Sequence, residues 1–134
     1  MTTKAVKPEN DAILSALLSA DDAVERDVPM TRFGVDFRVK AVSIKQIKRL
    51  QMQSTHVVGK TEVLDEEYFA ALLIAEASVN VDWRNPQLLE KYEAVEAAQV
   101  VQARLLSGEI AFLAGEIMAV SGFNQDERIK AIKN

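Results

Sequence analysis

One segment of this chain departs from the helical spacing of apolar residues, and that departure constrains the fold more than any other feature. Between residues 35 and 41, Val35, Phe37, Val39 and Ala41 alternate with polar side chains, as in a half-buried strand. In the predicted helices, apolar residues recur three or four positions apart, as on one helix face. A two-stranded hairpin is marginally stable alone, so it must pack on helices or pair with another chain. The sequence therefore predicts a mainly α-helical α+β fold of five to six helices with one short N-terminal β-hairpin.

Capping signals mark the ends of the predicted helices. Residues that accept hydrogen bonds from a first helical turn precede the apolar runs, and the predicted caps are Asn10, Ser43, Asp65, Asn85 and Ser107. Gln46, three residues after Ser43, completes a capping box. Gly122 ends the last helix, with Phe123 folding back on Met118. The first predicted helix, which follows Pro8, carries an apolar face formed by Ile13, Leu14, Leu17 and Leu18.

The predicted hairpin takes its first strand from residues 28–33, with the turn near Phe33 and Gly34. Residues 54–64 are predicted to be a loop. They contain the tripeptide Gly59-Lys60-Thr61, which matches the end of a phosphate-binding loop, but Ser54 stands where that motif needs a glycine. A plain surface loop is therefore favoured over nucleotide binding.

Length and composition fit a single domain. The chain has 134 residues, of which 49% are apolar. We expect a flexible N-terminal tail at 1–8, a compact domain at 9–123 and a flexible polar C-terminal tail at 124–134. The N-terminus lacks the apolar segment of a secretory signal, and the longest apolar stretch, 68–75, is too short to cross a bilayer. A cytoplasmic protein without a membrane segment is therefore expected.

Few catalytic chemistries fit the residue types present. The chain has no cysteine and one histidine, which argues against disulfides, cysteine nucleophiles and metal sites built from several histidines. His56 has no nucleophile nearby in sequence, and the acids at 65–67 stand where a helix dipole favours them. No catalytic, cofactor-binding or metal-binding residue is predicted, and we expect the protein not to be an enzyme.

Charge is distributed unevenly along the chain. Residues 32–60 hold seven basic residues and one acid, a net charge of +6, in a chain whose net charge is −4. Such a stretch indicates either a nucleic-acid-binding surface or a face that pairs with acids of the same protein or of a partner. The second interpretation is favoured. Glu76, at the edge of a buried helix face, needs a basic partner, and the sequence leaves Arg84 and Arg104 both open.

Five short segments in the C-terminal part of the chain occur in a familiar order and spacing. They are Leu72-Leu73-Ile74, Val81-Asp82, Leu88-Leu89-Glu90-Lys91-Tyr92, Leu105-Leu106-Ser107-Gly108-Glu109-Ile110 and Ser121-Gly122-Phe123. Over about residues 65–123 the chain resembles the tail assembly chaperones of Gram-positive siphophages and myophages, and of phage-like elements such as PBSX. Glu93 stands where that family tends to have glycine, and Ser107 where it often has proline. Both exchanges are expected to be structurally mild.

The resemblance implies a non-enzymatic protein that acts in the cytoplasm of the bacterial host and is absent from the finished virion. Such chaperones coat the long, helical tape measure protein and assist tail tube subunits to polymerise around it, and many are made in two lengths by translational frameshifting. The implied partners are the tape measure protein and, in addition, the tail tube protein, with self-association left open. The alternative is a small nucleic-acid-binding or regulatory protein that uses the basic 32–60 region.

The candidate partner-binding residues are aromatic. They are Phe33, Phe37, Trp83, Tyr92, Phe112 and Phe123. Aromatic side chains are enriched at binding hot spots, although a single tryptophan is also the usual lid of a small core. Broad apolar helix faces such as 68–74, and the small-residue stretch 94–98, are expected to offer grooves to partner helices.

Overall fold

The computed structural model describes residues 8–19 and 24–123. The helices are α1 (Pro8–Ser19), α2 (Ile44–Gln53), α3 (Glu66–Ala77), α4 (Pro86–Lys91), α5 (Ala97–Arg104) and α6 (Ser107–Val120). The strands are β1 (Glu25–Met30), β2 (Val35–Lys40), β3 (Thr55–Val58) and β4 (Thr61–Leu64). The fold is a mainly helical α+β fold, as the sequence predicts. The two predicted tails lie outside the described residues, except for Pro8, which begins α1.

The core lies where α3 meets its neighbours. Helix α3 packs against α5, α6 and α2, and α6 also lies against the β1–β2 hairpin. Since every one of these elements turns an apolar side toward the same centre, they share one cluster of buried side chains. Its largest fully buried members are Val28, Val39, Leu73, Ile74, Val100, Val101, Leu113 and Ile117.

The β1–β2 hairpin has one buried and one exposed face, as the alternating pattern predicts. Val28 pairs with Phe37 across the two strands, and both side chains are buried. The first strand ends three residues earlier than predicted. Phe33 belongs to the turn, where its N–H donates to the carbonyl of Met30, and Gly34 follows with a φ of 68°.

Residues 55–64 form a second hairpin, so the prediction of a loop there is wrong. Strands β3 and β4 are antiparallel, and Val58 pairs with Thr61 across a two-residue turn. Gly59, at the first turn position, has a φ of 66°, which fits the glycine-first turn that suits strand twist. Gly59 and Lys60 of the tripeptide that matches a phosphate-binding loop therefore form the turn of this hairpin, and Thr61 begins β4. The β-branched residues on both sides of Gly59 were the sequence signal that could have predicted the two strands.

Several predicted caps are confirmed. The Ser43 hydroxyl accepts from the Gln46 N–H, and the Gln46 amide oxygen accepts from the Ser43 N–H. Asp65 caps α3, and Asn85 caps α4 ahead of a proline at the first helical position. At the end of α6 the Phe123 N–H donates to the Met118 carbonyl at 2.8 Å, which is the bond of a Schellman motif.

Two helix starts differ from the prediction, by three residues in α1 and by one in α6. Helix α1 begins at Pro8, ahead of the predicted cap Asn10. Helix α6 is capped by Leu106, so Ser107 is its first helical residue and not its cap. Proline is favoured at a first helical position, which explains why a proline would fit at Ser107 equally well.

Glu93 is the one non-glycine residue with a positive φ in the described part of the chain. Its φ is 51°, immediately after the end of α4. In this conformation the Cβ of an L-residue comes too close to the following carbonyl oxygen, at a cost of roughly 1–2 kcal/mol. The exchange of glycine for glutamate at this position is therefore not structurally mild, and that expectation is wrong.

Candidate protein-binding surfaces

Three of the six candidate aromatic residues form one cluster. The Phe33 and Phe37 rings stack with centroids 5.8 Å apart, and the Phe37 and Trp83 rings meet edge to face at 6.0 Å. Phe37 and Trp83 are buried, and the Trp83 Nε1–H donates to the Ser78 hydroxyl at 2.9 Å. These two side chains therefore belong to the core, and contact of either with a partner stays a prediction.

Phe33 contacts two guanidinium groups at the surface end of this cluster. The Arg32 and Arg104 guanidinium carbons are 4.4 and 4.6 Å from the centre of the Phe33 ring. Arg32 also donates to both carboxylate oxygens of Glu109, at 2.9 and 2.6 Å. The turn between β1 and β2 is thereby tied to the ends of α5 and α6, which gives Phe33 a structural role.

Glu109 titrates well below its ordinary range because of these contacts. Hydrogen bonds from Arg32, and next from the Leu106 N–H, lower the pKa of Glu109 from 4.5 to about 2. A carboxyl whose pKa is lower in the folded state stabilises the fold above its unfolded-state pKa. That stabilisation is lost as the pH falls through the folded-state pKa, so the stability contributed by Glu109 declines between pH 4.5 and about pH 2.

We expect Glu109→Gln to be less stable than the native chain at pH 7, with the difference narrowing below pH 4.5 and closing near pH 2. Urea unfolding followed by circular dichroism at successive pH values measures that difference. Arg32→Gln keeps the hydrogen bond from the Leu106 N–H to the Glu109 carboxylate, so the free energy of unfolding of that variant should retain part of its pH dependence. A difference between Glu109→Gln and the native chain that stays constant over this range would contradict the assignment.

The other three candidate aromatic residues lie apart from the cluster. Tyr92 is half-buried against the core at the end of α4. Phe112 and Phe123 are 49% and 40% exposed, so they present the most surface to a partner. The helix face 68–74 and the stretch 94–98, expected to offer grooves, instead place their most buried members in the core: Ala71, Leu73, Ile74, Ala97 and Ala98.

One groove runs between α3 and α6, with α5 at its side. We call it the α3–α6 groove; its volume is about 320 Å³, and it is lined by Glu66, Glu67, Ala70, Gln102, Ser107, Ile110 and Ala111. Its apolar side chains come from both helices, and two are alanines. Because Glu66 and Glu67 are exposed at the first turn of α3, the rim is acidic. Ala70 belongs to the face 68–74 that the sequence predicts to offer grooves, whereas the part of the groove formed by α6 was not predicted, since Ala111 carries no binding signature.

A second groove lies between α2 and the β3–β4 hairpin. We call it the α2–hairpin groove; its volume is about 480 Å³, and it is lined by Lys48, Gln51, Met52, Thr55, His56, Val57 and Glu62. Met52 and Val57 are 78% and 65% exposed. On α2, Lys45 and Lys48 lie on the same side as Met52, because these residues are three and four positions apart. This groove is therefore apolar with a mainly basic surround.

Internal ion pairs use part of the basic 32–60 region. Besides the Arg32–Glu109 pair, Arg38 pairs with Asp27 at 2.8 Å, and Arg49 pairs with Glu76.

Arg49, with Gln46, is the partner of Glu76, so the expectation of Arg84 or Arg104 is wrong. The reason is tertiary: α2 packs on α3 and brings these side chains together. Among the described residues, Lys40, Lys45, Lys48 and Lys60 have no carboxylate oxygen within 4.0 Å. Most of the unpaired charge of this region therefore lies on α2 and the β3–β4 turn, and the rest at the end of β2.

Within the described residues, no cluster of three or more histidine or acidic side chains is placed to hold a metal ion. No helix in residues 8–19 or 24–123 has the length and apolar character needed to cross a membrane.

Two comparisons with known proteins indicate the same family, and a third finds a similar fold. The model of a family described as phage XkdN-like tail assembly chaperone protein matches residues 14–133. The chain is 29% identical over 119 residues to the phage-like element PBSX protein XkdN of Bacillus subtilis (strain 168), covering 78% of this chain and 80% of that protein. The crystal structure of the protein YqbN is similar, with a TM-score of 0.57 and 22% identity over 78% of this chain and 90% of that one. The likeness to YqbN concerns the fold alone.

Proposed function

Because the chain belongs to the family of XkdN-like phage tail assembly chaperones, we propose that it binds the tape measure protein and assists the tail tube to assemble around it. The match over residues 14–133 supports a role in tail assembly. The choice of the tape measure protein as partner comes from the resemblance to tail assembly chaperones, and the α3–α6 groove, which suits a helical segment, supports it. We propose that the protein does this in the cytoplasm of the host, without catalysis, and that it is absent from the finished virion.

The α3–α6 groove has the features of a site that receives a helix. Ala70 and Ala111 face it from two helices, and their short side chains let a partner backbone approach closely. Ile110 supplies apolar surface between them, as in other helix-in-groove complexes. Glu66 and Glu67 on the rim favour a helix that carries basic residues beside its apolar face. The proposed ligand is therefore an amphipathic, basic helical segment of the tape measure protein.

Co-expression with the tape measure protein of the same phage element tests the proposal. We expect the tape measure protein to stay soluble and to co-purify with this chain, because its apolar helices are covered. The matched control is the tape measure protein expressed alone. If it precipitates equally with and without the chaperone chain, the proposed function is wrong.

A substitution in the α3–α6 groove should separate binding from folding. Ala111→Gln places a long polar side chain in the groove, where it would displace the apolar face of a partner helix. We expect the dissociation constant for the tape measure segment to rise by about tenfold or more. Biolayer interferometry with the purified segment measures that change.

Ala119→Gln is the matched control, since it makes the same exchange at an exposed position of the same helix. It should bind as the native chain does, and both variants should unfold at the same urea concentration as each other. Equal binding by the two variants would show that the partner does not use this groove.

A further inference from the structure

Helix α1 exposes its apolar face to solvent. Side chains 10–19 are all exposed, and Ile13, Leu14, Leu17 and Leu18 are between 53% and 78% exposed. A helix of 12 residues is marginal in water unless its apolar face packs on something. Within residues 8–19 and 24–123 nothing covers this face, so α1 needs a further surface to pack on.

The charge around α1 restricts what can cover it. Residues 8–25 contain five acidic residues and no basic residue. Residues 37–61, which include α2, β3 and the turn to β4, contain no acidic residue and six basic ones. The α2–hairpin groove is therefore the apolar surface of this chain whose charge is opposite to that of α1.

The α3–α6 groove does not fit α1. Its rim carries Glu66 and Glu67, which would repel Asp11 near the start of the helix. The α2–hairpin groove has a single acid, Glu62, beside Lys48 and the exposed side chains of Met52 and Val57. Charge thus distinguishes the two grooves.

We propose that α1 of one copy binds in the α2–hairpin groove of a second copy, so that the protein self-associates by helix exchange. Leu14 and Leu17 of the visiting helix contact Met52 and Val57, and Asp11 lies near the lysines of α2. The interface uses a different groove from the one proposed for the tape measure protein.

Complementation between two single variants tests the exchange. Leu17→Asp changes the apolar face of α1 and leaves the α2–hairpin groove intact. Met52→Asp changes the α2–hairpin groove and leaves α1 intact. We expect the native chain to associate in sedimentation velocity and light scattering, and each variant alone to dissociate at least about tenfold more readily. An equimolar mixture of the two variants should form a one-to-one complex, because it restores one complete pairing.

Val95→Asp is the matched control, since Val95 is 87% exposed and lies outside both grooves. It should associate as the native chain does. The proposal is overturned if the native chain is monomeric at all concentrations, if either groove or helix variant associates normally, or if their mixture stays monomeric. Since no tape measure protein is present, a negative result leaves the proposed function untouched.

Disulfide trapping gives an independent measurement, because the chain has no cysteine of its own. Leu17→Cys mixed with Met52→Cys should give a crosslinked heterodimer on mild oxidation. Leu17→Cys mixed with Val95→Cys should give far less of it. Equal crosslinking in the two mixtures would contradict docking of α1 in the α2–hairpin groove.

Discussion

Replacing Trp83 with alanine should lower the free energy of unfolding by about 3–5 kcal/mol. The side chain is 4% exposed and packs edge-on against Phe37, so its removal leaves a large cavity beside the β1–β2 hairpin. The substitution also removes the hydrogen bond from Nε1 to the Ser78 hydroxyl. Urea unfolding of the two proteins, followed by far-ultraviolet circular dichroism, measures the loss.

Phe112→Ala is the matched control for Trp83→Ala, because it also removes an aromatic ring, but one that is half exposed. The loss in the free energy of unfolding caused by Phe112→Ala should be smaller than that caused by Trp83→Ala by at least about 2 kcal/mol. A similar small cost for both would show that Trp83 is a surface residue. Such a result would return it to the candidates for partner contact.

Local signals explain the parts of the fold that were predicted correctly. The capping box at Ser43 and the glycine stop at Gly122 depend only on residues within one helical turn. The alternation along β2 indicated a strand because one face of that strand is buried. In β3 and β4 most side chains are exposed, so no alternation between apolar and polar residues marks them. Without that pattern, the sequence does not distinguish the second hairpin from a loop.

The candidate binding surfaces were harder to predict, because they depend on which helices meet. Aromatic side chains are the natural candidates, yet Phe37 and Trp83 are buried and Phe33 contacts the guanidinium groups of Arg32 and Arg104. Aromatic residues stabilise cores as well as interfaces, and composition does not separate the two uses. Ala70 and Ala111 face the α3–α6 groove only because α3 and α6 pack side by side.

The same tertiary dependence explains the partner of Glu76. Arg49 lies 27 residues before it in the sequence, on a helix whose packing against α3 was not predicted. Once three arginines of the basic region are paired internally, the remaining charge belongs to lysines of α2, the β3–β4 turn and the end of β2. This reduces the unpaired positive charge on which the nucleic-acid alternative depends.

Leu113→Ala should lower the free energy of unfolding by about 3–5 kcal/mol, because Leu113 is fully buried where α6 meets the core. Leu106→Ala, near the start of the same helix, removes the same atoms from a side chain that is 59% exposed and should cost less than about 1 kcal/mol. Urea unfolding of both variants checks the contrast. Since Leu113 does not line the α3–α6 groove, folded Leu113→Ala should bind the tape measure segment as the native chain does. Equal losses in the free energy of unfolding for the two variants would contradict the placement of Leu113 in the core.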